Sequence, residues 1–334
     1  MDRGVFVSRG QLTEPTPSPL IAAMMRTISD ILDDPKARRG SFLIFWLLST
    51  TPFLACLIAV GRLSLQDDNY SYVLLVPLIS AGIIYKERRH IFRDCQFRPW
   101  LGLSLFILGA LLYFMVDGPV LSTPSDGRLS IAVFAVIVIW TASFILFYGT
   151  RAVLAAKFPF SFLLFMIPIP TSLLAKIIAG LQYESADVTH LLFRLAGIPV
   201  FRQGLVFSLP GIHIHVEEAC SGIHSTLALL MVGILAGHLC LQSTWRKLVL
   251  TLLTIPISII KNALRIAVIS GLGVYVDRGF LYGPLHRYGG YPFAAVALAM
   301  LGPVFLVLWK SEGNSARKHQ RATNNECRHS ATVG

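Results

Sequence analysis

Charge is scarce in this chain. Only 14% of its 334 residues are Asp, Glu, Lys or Arg, against 54% hydrophobic ones, and the mean hydropathy is +0.64. An ordinary soluble domain carries about 25% charged residues, so that class is excluded and a polytopic membrane protein remains. Acidic residues are scarcer than basic ones, 18 against 29, which leaves a net charge of +11. The basic residues gather in short segments beside apolar runs, where they set membrane topology, so nucleic acid is not expected as a partner. The first forty residues contain no apolar run of the secretory-signal kind. No internal repeat of fixed period is visible, which argues against the repeat-built transporter folds. Cysteine is also rare, with five in the chain.

What is abundant is apolar sequence in lengths that cross a hydrocarbon core, about 17 to 25 residues per helix. Eight spans are predicted at about 41–60, 71–85, 100–116, 129–148, 158–178, 222–241, 248–274 and 291–309, the second and third being short. The fold class is therefore all-α, a bundle of about eight transmembrane helices. Lys and Arg between the spans fix its orientation. With the N-terminus inside, one side collects clusters at 36–39, 86–98, 151–157, 246–247 and 310–328, while the other has only scattered ones such as Arg62, Arg128, Lys176 and Arg278. Both termini are expected in the cytoplasm. Residues 1–40, with Pro15, Pro17 and Pro19, read as a flexible cytoplasmic arm, 41–309 as the membrane domain, and 310–334 as a disordered tail.

This topology sorts the cysteines. Cys56 falls inside the first span, Cys95 and Cys327 on the cytoplasmic side and Cys240 at the inner end of the sixth span, so Cys220 alone is expected at the outer face, with no disulfide partner. An unpaired thiol facing an oxidising compartment is a liability unless it does chemistry. It opens the sixth span in the run Glu217-Glu218-Ala219-Cys220-Ser221-Gly222-Ile223-His224-Ser225.

The seventh span carries Lys261, Asn262 and Arg265. Charges within an apolar span cost at least about 2.5 to 3.5 kcal/mol each and usually face the protein interior or a wet cavity. Arg265 lies about 25 Å up a core of about 30 Å, near the outer surface and the expected depth of Cys220. The outer loop that follows, Tyr282-Gly283-Pro284-Leu285-His286-Arg287-Tyr288-Gly289-Gly290, has the glycines and proline of tight turns that can lay His286 back over the site. Thiol, guanidinium and imidazole have complementary chemistry: the imidazole takes the thiol proton, the thiolate attacks a carbonyl and the arginine holds the oxyanion. Taken singly, each has a blander reading. Cys220 can be a small hydrophobe at a helix start, Arg265 can snorkel to the head groups, and His286 can be an ordinary loop histidine.

Two rival constellations stand beside this one. His213, His215 and Glu217 alternate at period two, so an extended segment would put them on one side as metal ligands, which would make a metal-dependent membrane protease. His224 follows Cys220 by four residues and shares its helical face, an alternative base with poor geometry for in-line proton transfer. A third reading makes Lys261 and Arg265 the anion site of a transporter or lipid-handling protein, although transporters usually place such groups near the midplane.

With these residues in view, the chain resembles the exosortase branch of the exosortase and archaeosortase family over about residues 68–293. The resemblance rests on Asp68-Asn69-Tyr70-Ser71-Tyr72, Leu75-Val76-Pro77-Leu78-Ile79-Ser80, Phe158-Pro159 and Ile167-Pro168-Ile169-Pro170. It continues with Glu218-Ala219-Cys220-Ser221-Gly222, Asn262-Ala263-Leu264-Arg265, and His286 with Gly290. It implies a membrane-embedded cysteine peptidase or transpeptidase with Cys220, Arg265 and His286 as its active site, needing no cofactor or metal. Asn262, one turn before Arg265, is the expected orienting residue, and Glu218, Ser221 and Gly222 the neighbours that support the site or touch substrate. The implied partners are the lipid bilayer and exported proteins that end in a Pro-Glu-Pro type motif, a transmembrane helix and a basic cluster, in bacteria that also make extracellular polysaccharide. The implied location is the inner membrane, with the site facing the periplasm. Tyr72, where many members have His, and His224 depart from the common pattern, and no fused periplasmic domain is expected after the last span.

Overall fold

In hydrocarbon every backbone N–H and C=O must find its partner within the protein, and a helix supplies those partners locally. The structure, a computed structural model, describes residues 34–93, 95, 99–117, 125–216, 222–281, 283 and 290–332. Its helices in chain order are α1 Pro35–Thr50, α2 Leu54–Gln66, α3 Leu75–Lys86, α4 Arg88–Ile91, α5 Pro99–Asp117, α6 Ser125–Ala155 and α7 Lys157–Phe162, then α8 Thr171–Leu195, α9 Ile223–Cys240, α10 Thr244–Tyr275 and α11 Gly290–Thr332. Helix α1 starts at Asp34, whose carboxylate accepts from the Lys36 amide at 3.0 Å, with Pro35 at the first helical position.

The chain divides into two units. In the first, residues 1–58, 77–123 and 131–167, the core is aromatic: Phe144, Phe147 and Tyr148 of α6 gather with Ile91, Ala152 and Ala156, and Phe42, Phe45 and Phe92 pack on them. Phe42 and Phe92 approach the Tyr148 ring with centroids 5.2 and 4.7 Å away, both tilted out of parallel, as ring quadrupoles prefer. A methyl group at Gly102 would stand 2.7 Å from the Leu146 backbone, so α5 and α6 meet there only because position 102 has no side chain.

In the second unit, residues 59–76, 124–130 and 168–334, α10 is central, with α8, α9 and α11 packed on it. Leu229 of α9, Leu250 and Ile257 of α10, and Ala297 and Leu301 of α11 form one core around Leu241. A three-stranded antiparallel sheet, β1 Phe201–Gln203, β2 Val206–Leu209 and β3 Ile212–His215 in that order, lies between α8 and α9 in sequence. Its apolar side, Phe207 and Leu209, shares a second core with Ala186 and Phe193 of α8 and Ile266 of α10. At the start of α10, the Gln242 and Ser243 amides donate to the Glu312 carboxylate at 2.9 and 2.7 Å, and Arg246 pairs with it at 3.2 Å. This carboxylate satisfies amides that a helix start leaves without helical partners.

The helical membrane architecture predicted from hydropathy is present, with this small sheet added to it. Among the described residues, five helices are long and apolar enough to cross a membrane, or six if Lys157–Met166 and Thr171–Leu195 form one broken span, against eight predicted. The differences have local causes. Residues 71–74, predicted to open the second span, belong instead to a 3-10 segment, Asp68–Leu74, that Asp67 caps through the Asn69 amide, leaving α3 only 12 residues. The apolar part of α5, Trp100–Val116, is among the shorter apolar helices, at the lower limit of the length that crosses a hydrocarbon core. The predicted span 158–178 is broken at Ile167-Pro168-Ile169-Pro170, because each proline lacks an N–H and forces its predecessor into extended backbone. Two carbonyls freed by that break are satisfied within the second unit: Ser130 Oγ donates to Pro168 O at 2.6 Å and Tyr70 Oη to Ile169 O at 2.9 Å. At the C-terminal end, α11 continues past Trp309 to Thr332.

Candidate functional site

Two helices bring polar faces together inside the second unit. Helix α8 turns Gln182, Ser185 and Thr189 inward, at spacings of three and four that share one helical face, and all three are buried. Helix α10 answers with Lys261 and Asn262, 3% and 1% exposed. Asn262 Nδ2 donates to Ser185 Oγ at 3.1 Å, and Thr189 Oγ1 to Ser185 O at 2.6 Å and Ala263 O at 3.3 Å. Gln182 Nε2 donates to Val216 O at 3.0 Å, tying the end of β3 to α8. A buried polar group left without a partner costs about 1 to 3 kcal/mol, so these pairs define how the two helices fit.

The start of α9 rests on this network. Gly222 holds the position before the helix with φ 69°, in the left-handed region that favours glycine. Its carbonyl accepts from the Thr226 amide, Thr226 Oγ1 and Ser225 Oγ, each at 2.9 Å. The Lys261 ammonium donates to Ser225 Oγ. A Cβ at Gly222 would stand 2.9 Å from Asn262 Oδ1 and 3.2 Å from Lys261 Nζ, so the backbone there lies directly on these two side chains.

Arg265 is half-buried one turn beyond Lys261 on the same helix. Like charges four apart on a helix repel, and a helix start is itself the positive end of a dipole. The Lys261 ammonium at the first turn of α9 therefore gathers positive charge there, which favours an anion. His224 projects to the exposed side of α9, with Nδ1 3.4 Å from Ser71 Oγ.

Of the residues predicted from sequence, Gly222, Asn262 and Arg265 are described, and the first two are in contact. Cys220, His286, Glu218 and Ser221 lie outside the described residues, as does Glu217. His213 and His215 stand on the exposed side of β3, His213 Nδ1 3.0 Å from Ser208 Oγ. Among the described residues, no group of three His, Cys, Asp or Glu could hold a metal ion. Ser185, Ser225 and Gln182 were not foreseen. The spacing of Gln182, Ser185 and Thr189 is the signal that marks them, but it falls after residue 178, where hydropathy ends the fifth span.

No curated protein and no solved structure matches the chain. The family model for the transmembrane exosortase matches residues 63–302, an interval that contains Tyr70, Ile167–Pro170, Cys220, Asn262, Arg265 and His286. Since the match covers well over half of the chain and spans the whole polar centre, the chain belongs to the transmembrane exosortase family.

Proposed function

We propose that this protein is a membrane-embedded cysteine peptidase or transpeptidase that cuts the C-terminal sorting signal of exported proteins at the outer face of the bacterial inner membrane. Both termini are cytoplasmic in this reading. The observation that carries it is the seat of Gly222 on Lys261 and Asn262. A residue two positions away in the chain is at most about 7 Å from the Gly222 Cα. In this reading Cys220, two residues before Gly222, faces the helix on which Arg265 follows Lys261 by one turn. A cysteine beside cationic side chains and a helix start is favoured as the thiolate.

In the reaction, Cys220 Sγ bonds to the scissile carbonyl carbon after giving its proton to His286, and Arg265 holds the oxyanion. Collapse of that intermediate breaks the C–N bond, His286 returns the proton to the leaving amine, and a thioester remains on Cys220. Water resolves it to a free carboxylate, or an amine acceptor resolves it to a new amide. The Gly222 carbonyl and the Asn262 amide position the backbone that carries the thiol.

The test is co-expression with an exported protein that ends in a Pro-Glu-Pro type motif, an apolar helix and a basic tail. Cys220→Ala and Cys220→Ser should each abolish its processing while the enzyme still inserts and accumulates. Joint replacement of Cys56, Cys95, Cys240 and Cys327 should be tolerated. Wild-type processing by the Cys220 variants would remove the thiol mechanism.

A further inference from the structure

Among the described residues, the sheet of the second unit has an open edge on the strand that precedes the proposed nucleophile in sequence. The strand order β1-β2-β3 leaves β3 with one neighbour among the described residues. In the antiparallel register Leu209 faces Ile212 and Phe207 faces Ile214, and Val216 N donates to Leu205 O at 3.0 Å. That phase turns the backbone groups of Ile212, Ile214 and Val216 toward β2, and alternation turns those of His213 and His215 away from it. The N–H and C=O groups of these two histidines thus form a short main-chain ladder two residues apart, with exposed side chains beside them.

This edge is held firmly. Phe207, Leu209 and Val216 are buried in the core shared with α8 and α10, and Gln182 fixes the Val216 carbonyl. From Val216 the chain runs through Glu217, Glu218 and Ala219 directly to Cys220. A peptide aligned on β3 therefore lies along the strand from which Cys220 follows four residues after Val216 in sequence.

We propose that the β3 edge binds the extended peptide segment next to the scissile bond, adding it as a fourth strand through the main-chain groups of His213 and His215. The proposal rests on the peptidase reading for the identity of the peptide. It commits to an extended polypeptide because alternating N–H and C=O groups at strand spacing are met fully only by another strand, and the edge offers little else.

The experiment uses the purified full-length Cys220→Ala protein and a short dye-labelled synthetic peptide carrying the processing site, with binding read by anisotropy. A series of peptides is N-methylated at one backbone amide at a time. Methylation should weaken binding about tenfold at every second position and change it little at the positions between, since only alternate amides face the edge. Uniform effects along the series, or no binding of the unmethylated peptide, would overturn the proposal. On the protein side, His215→Pro, which removes one edge N–H where a proline can be tolerated, should weaken binding about tenfold, and His215→Ala should not. An equal loss in His215→Ala would place the affinity in the imidazole and overturn the main-chain ladder. A parallel assay of the unmethylated peptide with the wild-type protein separates the two readings. Cleavage without alternation leaves the peptidase and removes the edge; alternating binding without cleavage leaves the edge and removes the peptidase.

Discussion

The Asn262 carboxamide and the Ser185 hydroxyl, on two different helices, meet at 3.1 Å where neither is exposed by more than 1%. Removing one partner strands the other in a buried place. Asn262→Leu and Ser185→Ala should each destabilise the protein by about 1 to 3 kcal/mol, while the double variant should lose less than the sum. Thermal unfolding in detergent of the four proteins measures this. Strict additivity would mean that the pair does not couple α8 to α10.

Gly222 offers a test that separates backbone strain from contact. Gly222→Ala puts a methyl group 2.9 Å from Asn262 Oδ1, on top of the roughly 1 to 2 kcal/mol cost of a left-handed alanine. Gly197 has a comparable φ of 71° but open space around it, so Gly197→Ala carries the strain without the collision. Processing should fall at least about tenfold in Gly222→Ala and stay near wild type in Gly197→Ala. Equal effects would assign the loss to strain, and the contact with Asn262 would then have no part in positioning the thiol.

At Arg265, lysine keeps the charge but loses the planar fork of donors that can hold an oxyanion and a neighbour together. Arg265→Lys should therefore be nearly as damaging to processing as Arg265→Ala. Substantial activity with lysine would point to an electrostatic or snorkelling role instead.

Part of the buried polar network could be read in the sequence because membrane burial makes polar residues conspicuous. Lys261, Asn262 and Arg265 stand out within an apolar span, and two of them are buried in the structure. The period-two run at His213 and His215 reads as a metal-ligand pattern that would need extended backbone, and the strand found there is not foreseen in an all-α fold. Hydropathy was blind where length and polarity decouple. It ended the fifth span at residue 178, although α8 runs to Leu195 on an amphipathic pattern. It gave residues 158–178 one helix because the apolar count is indifferent to the two prolines that break it. Tyr70 and the Ile167–Pro170 motif could be quoted as a pattern, but their connection through a hydrogen bond between residues 99 positions apart appears only in three dimensions.

The orientation is open to a chemical test that needs no substrate. After permeabilisation of the outer membrane, an impermeant maleimide on intact cells should reach Cys220 and spare Cys95 and Cys327. Labelling should fall in His286→Ala, because the thiolate is the reactive form and the imidazole helps to generate it. Selective labelling of Cys95 from outside would invert the topology and place the site in the cytoplasm.

The carboxylate of Glu312 has a bearing on how the protein can be engineered. Because it holds the Gln242 and Ser243 amides and pairs with Arg246, the turn between α9 and α10 is latched by a residue beyond the last apolar segment that hydropathy marks, which ends at Trp309. A reporter joined directly after Trp309 would delete the latch and free the base of the helix that carries Lys261, Asn262 and Arg265. Joined after Glu312, the same reporter keeps that carboxylate, so the shortest fusion that retains the latch lies three residues further along than the apolar sequence suggests.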